Sequence, residues 1–67
     1  MKAAKIYLRE ALDNDLLDET EFLSSNKESR IVFTDDGHAI AIYDASQEKK
    51  LSDLLEANDN VTGYSEI

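Results

Sequence analysis

Two runs rich in β-branched and aromatic residues, at positions 30–35 and 38–43, flank the dipeptide Asp36-Gly37. An Asp-Gly pair between two alternating apolar runs predicts a β-hairpin closed by a two-residue turn. Such a turn sets Asp35 opposite His38, and the sequence therefore predicts a hairpin over residues 30 to 43. In this register Phe33 faces Ile40 and Ile31 faces Ile42, so these four residues form the predicted core face. The other, mixed face would carry Arg30, Val32, Thr34, Ala41 and Tyr43.

The segment after the hairpin has the apolar spacing of a helix, with Leu51, Leu54 and Leu55 on one stripe. Asp44 or Ser46 is the expected N-cap, and Asn58 is suited to a left-handed C-cap. The closing residues 60–67 predict a short strand at a sheet edge, although glycine at position 63 weakens a strand.

The first third of the chain allows two interpretations, because residues 4–9 could alternate as a strand or form the centre of a helix. We favour a helix over residues 2 to 12, with an apolar side of Ala4, Tyr7, Leu8 and Ala11 and a basic side of Lys2, Lys5 and Arg9. Ile6 would then lie beside the basic side, and Tyr7 would belong to the core. A second helical face follows, made of Leu16, Thr20 and Leu23, with Asp13 and Asp15 as N-cap candidates.

These elements predict a small single α+β domain covering residues 1–67. It would contain N-terminal helical segments, a β-hairpin, a C-terminal amphipathic helix and a short final edge strand. A chain of 67 residues without cysteine has little core and no disulfide to stabilise it, so we expect a marginally stable monomer or a homodimer. No signal-peptide pattern or long apolar run is present, and we expect a cytoplasmic protein without a membrane span.

Charge is the most unusual property of the composition. Fifteen acidic residues against seven basic ones give a formal net charge of -8. Direct nucleic-acid binding needs Lys and Arg to displace counterions from phosphates, so this balance argues against it. The acids lie within segments that also carry regular apolar spacing, which indicates a folded domain with an acidic surface.

Residues 13–21 hold five carboxylates without a base, and a metal site is the first chemistry to consider. A calcium loop of the EF-hand kind that began at Asp13 would need glycine at the sharp turn, where Asp18 stands, and a bidentate Glu where Ser24 stands. Apolar Leu16 and Leu17 also interrupt the run. We therefore expect no metal here, and we interpret the acids as a solvated helical face.

The sequence also predicts no catalytic site. His38 is the single histidine, and Asp35 or Asp36 could orient it as a general base. A turn-flanking histidine is more often bonded locally and exposed, and the chain has neither a cysteine nor a glycine-rich phosphate loop. We expect neither enzymatic activity nor a cofactor.

What remains is binding through charge, to a basic surface of a nucleic-acid-binding protein. Two acidic patches are the expected partner-binding sites: Asp13, Asp15, Asp18, Glu19 and Glu21 in the first, and Asp35, Asp36 and Asp44 in the second. In size, acidity and lack of a catalytic motif the chain resembles the small inhibitors that phages deploy against host nucleases and CRISPR complexes. That resemblance is one of composition only. DNA mimicry is the hypothesis that the charge itself suggests, because carboxylates held on rigid elements could occupy a site that normally receives phosphates. One alternative is an antitoxin or regulatory subunit, for which Lys2, Lys5 and Arg9 supply a small basic region. Another is a homodimerisation module that buries the mixed hairpin face and Ile6.

Overall fold

The computed structural model describes residues 1–10, 14–25, 27–35 and 37–67. Within these ranges, four strands and two α-helices follow one another in the order β1 (Lys2–Leu8), α1 (Asn14–Glu19), β2 (Arg30–Asp35), β3 (His38–Tyr43), α2 (Glu48–Ala57) and β4 (Val61–Glu66). Short 3₁₀ helices, Glu21–Ser25 and Ala45–Gln47, follow α1 and precede α2. The α+β class, the hairpin and the final helix and strand are therefore confirmed.

The four strands form one antiparallel sheet in the order β2-β3-β1-β4. Strands β1 and β2 both run antiparallel to β3, so they are parallel to each other with β3 between them. Strands β3 and β4 both run antiparallel to β1, so they too are parallel to each other, with β1 between them. Each helical segment thus joins two parallel strands that are not adjacent, which is the connectivity of the split βαβ motif.

The predicted helix over residues 2 to 12 is wrong, because residues 2–8 form the central strand β1. Ala4, Ile6 and Leu8 alternate on its buried side, while Tyr7 points the other way and is 38% exposed. In so short a segment the spacing of the apolar residues fits both the helical and the strand period. Residues 2–8 form a strand because they pair with β3 on one side and with β4 on the other. Tyr7 is therefore not a core residue, and Ile6 is completely buried.

The hairpin forms between the predicted residues, but most of its predicted register is wrong. Asp35 does pair with His38, whereas Phe33 pairs with Ala39 because an irregularity between Phe33 and Asp35 leaves one extra residue on β2. The shift by one residue exchanges the two faces of β3. The inward residues of β3 are therefore Ala39, Ala41 and Tyr43, all buried, and the outward residues include Ile40 and Ile42. Gly37 has a φ of 86°, as the turn requires, and its neighbour at position 36 lies outside the described residues.

The helical face predicted after β1 is confirmed, since Leu16, Thr20 and Leu23 are all buried. The Thr20 hydroxyl donates to the Leu16 carbonyl at 2.7 Å where α1 ends, so this buried polar group is satisfied. Asp15 lies inside the first turn of α1 and is not its N-cap. The other N-cap candidate, Asp13, lies outside the described residues.

A capping box starts the 3₁₀ helix that precedes α2, while the N-cap of α2 itself, Gln47, makes no side-chain capping bond. The Asp44 carboxylate accepts from the Ser46 amide, and the Gln47 side chain accepts from the Asp44 amide, which starts the 3₁₀ helix that leads into α2. Leu51 and Leu55 are buried, and Leu54 packs against the core, as the sequence predicted. The C-cap Asn58 has extended backbone angles (φ -89°, ψ 115°), so the left-handed C-cap is wrong.

All the helical segments lie on one side of the sheet, because Leu16, Leu23, Leu51 and Leu55 join the inward residues of the strands in a single core. Lys2 joins this layer to the sheet, with its Nζ 2.9 Å from Glu48 of α2 and 3.3 Å from Glu66 of β4. The result is a two-layer domain in which, among the described residues, nothing covers the second face of the sheet.

Candidate functional site

The first predicted acidic patch is held on one short helical segment. Asp15, Asp18 and Glu19 lie on α1, Glu21 begins the following 3₁₀ helix, and all four residues are exposed. Among the described residues, no hydrogen bond or ion pair engages the side chains of Asp15, Asp18 and Glu21. Buried Leu16 and Leu23 fix the segment to the core, so these carboxylates project from a well-supported backbone. The fifth predicted member, Asp13, lies outside the described residues.

Helix α2 lies beside this segment and enlarges the acidic surface. Asn58 at the end of α2 donates to the Glu19 carboxylate at 3.0 Å, and the Lys50 ammonium lies 4.7 Å from the centre of the Phe22 ring. Residues 14–25 and 48–59 together carry eight carboxylates and two lysines, and we call this surface the acidic helical layer. It adds Glu48, Asp53, Glu56 and Asp59 to the four exposed acids of the first patch.

Sequence reasoning missed the contribution of α2, although the spacing of Leu51 and Leu55 already indicated which side of that helix faces solvent. What the sequence could not show is that α2 contacts the α1 segment, through Asn58 with Glu19 and Lys50 with Phe22, because that depends on the order of the strands. Two of the carboxylates on α2 are paired with lysine, Asp53 with Lys49 at 3.0 Å and Glu48 with Lys2 at 2.9 Å, while Lys50 lies against Phe22.

The second predicted patch is not brought together. Asp35 lies at the turn end of the hairpin, while Asp44 follows β3 at its other end, about 20 Å away at the usual rise of a strand. Asp44 caps a helix, and hydrogen bonds from the Ser46 hydroxyl (2.6 Å) and amide (3.0 Å) lower the pKa of its carboxyl. Asp36 lies outside the described residues.

His38 makes the local bond that its position suggested. Its Nδ1 lies 2.5 Å from Oδ1 of Asp35, and its ring meets Tyr7 edge to face with the centroids 5.3 Å apart. The His38 side chain is 32% exposed and the Asp35 side chain is 67% exposed, so this pair lies at the surface and not within a cleft. Within the described ranges, no three His, Cys, Asp or Glu residues are grouped so that they could hold a metal ion.

A cavity of about 210 Å³ lies between α2 and the sheet, lined by Ala4, Leu51 and Leu55 with two tyrosines at its edge. Ligand pockets usually enclose about 300 Å³ or more, so this space is small for a substrate. Its two carboxylates, Glu48 and Glu66, are both bonded to Lys2. Burial raises the pKa of the Tyr43 phenol in its wall, and the charges of the two carboxylates add to that effect. We regard the cavity as part of the core.

The uncovered side of the sheet is the second surface of interest, and we call it the open face. It carries Ala3, Lys5 and Tyr7 of β1, Arg30 and Val32 of β2, and His38, Ile40 and Ile42 of β3. Val32 is 44% exposed and Tyr7 is 38% exposed. The predicted basic side of Lys2, Lys5 and Arg9 does not exist as one surface, because Lys2 and Lys5 lie on opposite faces of β1. Sequence reasoning missed this surface because the predicted register put Ile40 and Ile42 in the core.

The fold and these surfaces define a small two-layer α+β domain with an acidic helical side and an open sheet side. No protein-family model, curated protein or solved structure matches the chain at a significant level. None of the helices that the structure describes has the length and apolar character needed to cross a membrane.

Proposed function

We propose that this protein is a non-enzymatic binding module that presents its acidic helical layer to a basic surface of another protein. The observation that carries the proposal is the distribution of charge. The layer holds eight of the fifteen carboxylates and two of the seven bases, while the four strands hold two carboxylates and three bases. The negative charge is therefore concentrated on one side of the domain, which would orient it towards a basic partner.

The partner surface that best fits this layer is one that normally receives nucleic-acid phosphates. Duplex DNA carries one charge per about 1.7 Å of its axis, so a protein that replaces it needs several carboxylates fixed close together. Asp15, Asp18, Glu19 and Glu21 fall within seven residues, roughly 10 Å at a helical rise of about 1.5 Å per residue. A module of this kind would act as an inhibitor, because it would occupy the phosphate-binding site. This mode of action is the DNA mimicry that the charge of the chain suggests.

A homodimerisation module is the second candidate, and one observation favours it. Val32 and Tyr7 expose apolar surface on the open face, where two copies could meet. Ile6, which the sequence placed at such an interface, is unavailable because it is completely buried in the core. In this alternative the carboxylates of the helical layer would be dispensable for function.

The test removes charge from the layer without changing side-chain size. In one variant Asp15→Asn, Asp18→Asn and Glu21→Gln are combined. In the control, Glu10→Gln, Asp35→Asn and Glu66→Gln remove the same net charge outside the layer. Circular dichroism confirms the fold of both. Wild-type protein, variant and control are then used to capture partners from a lysate of the source cells, and mass spectrometry identifies what is bound.

We expect the wild-type protein and the control to retain a nucleic-acid-binding protein that the layer variant loses and that duplex DNA displaces. Exposed charge pairs contribute about 0 to 1 kcal/mol each, so the triple variant should weaken binding by about tenfold or more. Wild-type affinity should also fall as salt rises, because the screening length drops to about 8 Å at physiological ionic strength. Equal affinity of variant and wild type for the captured partner, with no salt response, would contradict the proposal.

A further inference from the structure

The open face is an apolar surface with a basic residue in each of two cross-strand rows. One row is Arg30, Ile42 and Ala3, and the next is Val32, Ile40 and Lys5. Every described helical segment packs on the opposite side of the sheet, so these side chains have no covering element of their own. A sheet face with this much aliphatic surface is stabilised when another element packs on it.

The charge of the open face is opposite in sign to that of the rest of the domain. Among the described residues, its bases are Lys5 and Arg30, and its carboxylate, Asp35, is already bonded to His38. The Lys5 ammonium lies 5.5 Å from the centre of the Tyr7 ring, which keeps the cation over the face instead of extending into solvent. An occupant that complements this face must therefore combine apolar side chains with carboxylates.

Two other occupants fit less well. A nucleic acid needs several bases along its phosphates and aromatic rings on which its bases can stack. The described part of the face offers the two bases Lys5 and Arg30 and one exposed aromatic ring, Tyr7, which already contacts the His38 ring. A second copy packed face to face would bring Lys5 and Arg30 of both copies to one interface, where like charges repel.

The dimensions fit one helix. Four strands about 4.8 Å apart span roughly 15 Å, and strands of six or seven residues extend for about 20 Å. An α-helix with its side chains is about 10 to 12 Å wide, so three to four turns would cover the apolar rows and leave the edges for charged contacts. We propose that the open face binds an amphipathic helix of a partner protein whose apolar stripe is flanked by aspartate and glutamate.

The test uses two synthetic helical peptides of about 14 residues, roughly 21 Å long, as probes. They share the same leucine stripe, but one has glutamate and the other lysine at the flanking positions. Each is titrated into isotope-labelled protein, and the backbone amide chemical shifts are followed by NMR. We expect the glutamate peptide to bind, weakly because the contact is small, with shift changes confined to the open face. The lysine peptide should leave the open face unchanged.

Charge reversals on the open face and on α2 then locate the contact. Lys5→Glu with Arg30→Glu should weaken glutamate-peptide binding by about tenfold, while Lys49→Glu on the exposed side of α2 should leave it unchanged. The layer variant used above, with Asp15, Asp18 and Glu21 neutralised, should also bind the peptide normally. That result separates this inference from the proposed function, since either can fail without the other.

Three results would overturn the inference. The first is no binding of the glutamate peptide at millimolar concentration, or equal binding of both peptides. The second is that peptide-induced shifts fall on the acidic helical layer. The third is evidence for another occupant of the open face. Such evidence would be a dimer in sedimentation that Val32→Glu dissociates, or a single-stranded oligonucleotide that shifts the same amide resonances.

Discussion

Ile6 of β1 lies directly opposite Ala39 of β3 at the centre of the sheet, and neither side chain has any exposed surface. The small alanine on one central strand leaves room for the isoleucine on the other, and Leu16, Leu23, Leu51 and Leu55 complete the same core from the helical side. A chain of 67 residues has a small core, so the packing around Ile6 matters for its stability.

Shortening Ile6 should therefore be costly. Ile6→Val should lower the free energy of unfolding by roughly 0.5 to 1.5 kcal/mol, and Ile6→Ala, at about 2 to 5 kcal/mol, should approach the whole stability of so small a domain. Ile40→Val, which removes the same methyl group from the open face, should cost less. Urea denaturation of the three variants measures the differences, and equal losses for Ile6→Val and Ile40→Val would show that the two faces of the sheet are wrongly assigned.

The two glycines should respond in opposite ways to substitution by alanine. Gly37 has positive φ, and a Cβ there would lie 3.2 Å from the carbonyl oxygen of Leu8. The Leu8 amide donates to the Gly37 carbonyl at 2.7 Å, so the two backbones are already in close contact. Gly37→Ala should cost about 1 to 2 kcal/mol from the backbone conformation alone.

Gly63 has no heavy atom within 4 Å of the position that a Cβ would take. Gly63→Ala should be neutral or stabilise the fold by up to about 1 kcal/mol, since it restricts the unfolded chain. Chemical denaturation of Gly37→Ala and Gly63→Ala tests both predictions. A tolerated Gly37→Ala would mean that the turn does not have the geometry described here.

The capping carboxylate should give the fold a pH dependence in the acid range. Because the folded pKa of Asp44 lies below its ordinary value, its stabilising effect is present above the unfolded pKa and is lost as the pH falls through the folded pKa. Asp44→Ala should therefore lower the denaturation midpoint near neutral pH and make little difference at about pH 2, below the usual carboxyl range.

Ser46→Ala removes the hydroxyl that donates to Asp44 and should raise the pKa of that carboxyl, which NMR titration can follow. Asp53→Ala, on the exposed side of α2, is the control for loss of a carboxylate that caps no helix. An Asp44 effect that persists unchanged at the lowest pH would argue that packing, and not the ionised cap, is responsible.

Repulsion within the acidic helical layer should make the protein more stable in salt. Raising the ionic strength from about 0.01 to 0.15 M shortens the screening length from about 30 to 8 Å, so the wild-type melting temperature should rise. The rise should be smaller when Asp15, Asp18 and Glu21 are neutralised, and larger in Lys49→Gln. Thermal denaturation followed by circular dichroism measures the melting temperatures of the wild type, the triple variant and Lys49→Gln at both ionic strengths. Identical salt responses would show that these charges do not interact.

The sequence by itself determined the elements whose signals are local. The Asp36-Gly37 turn between two alternating runs identifies the hairpin, the spacing of Leu51 and Leu55 identifies α2, and Leu16, Thr20 and Leu23 identify the buried side of the helical segment. Each of these patterns depends on near neighbours in the chain. The carboxylates of α1 could be named as exposed for the same reason, since acids rarely occupy a core without a partner.

The tertiary structure decided what depends on distant partners. Residues 2–8 satisfy both helical and strand periodicity, and pairing with β3 and β4 selects the strand. One extra residue on β2 reverses the faces of β3, so that Tyr43 becomes buried and Ile40 turns outward, because side chains alternate along a strand with a period of two residues. The strand order also sets α2 beside α1, whereas the length of β3 alone separates Asp35 from Asp44. The acidic helical layer and the open face are therefore products of long-range packing, which no local pattern encodes.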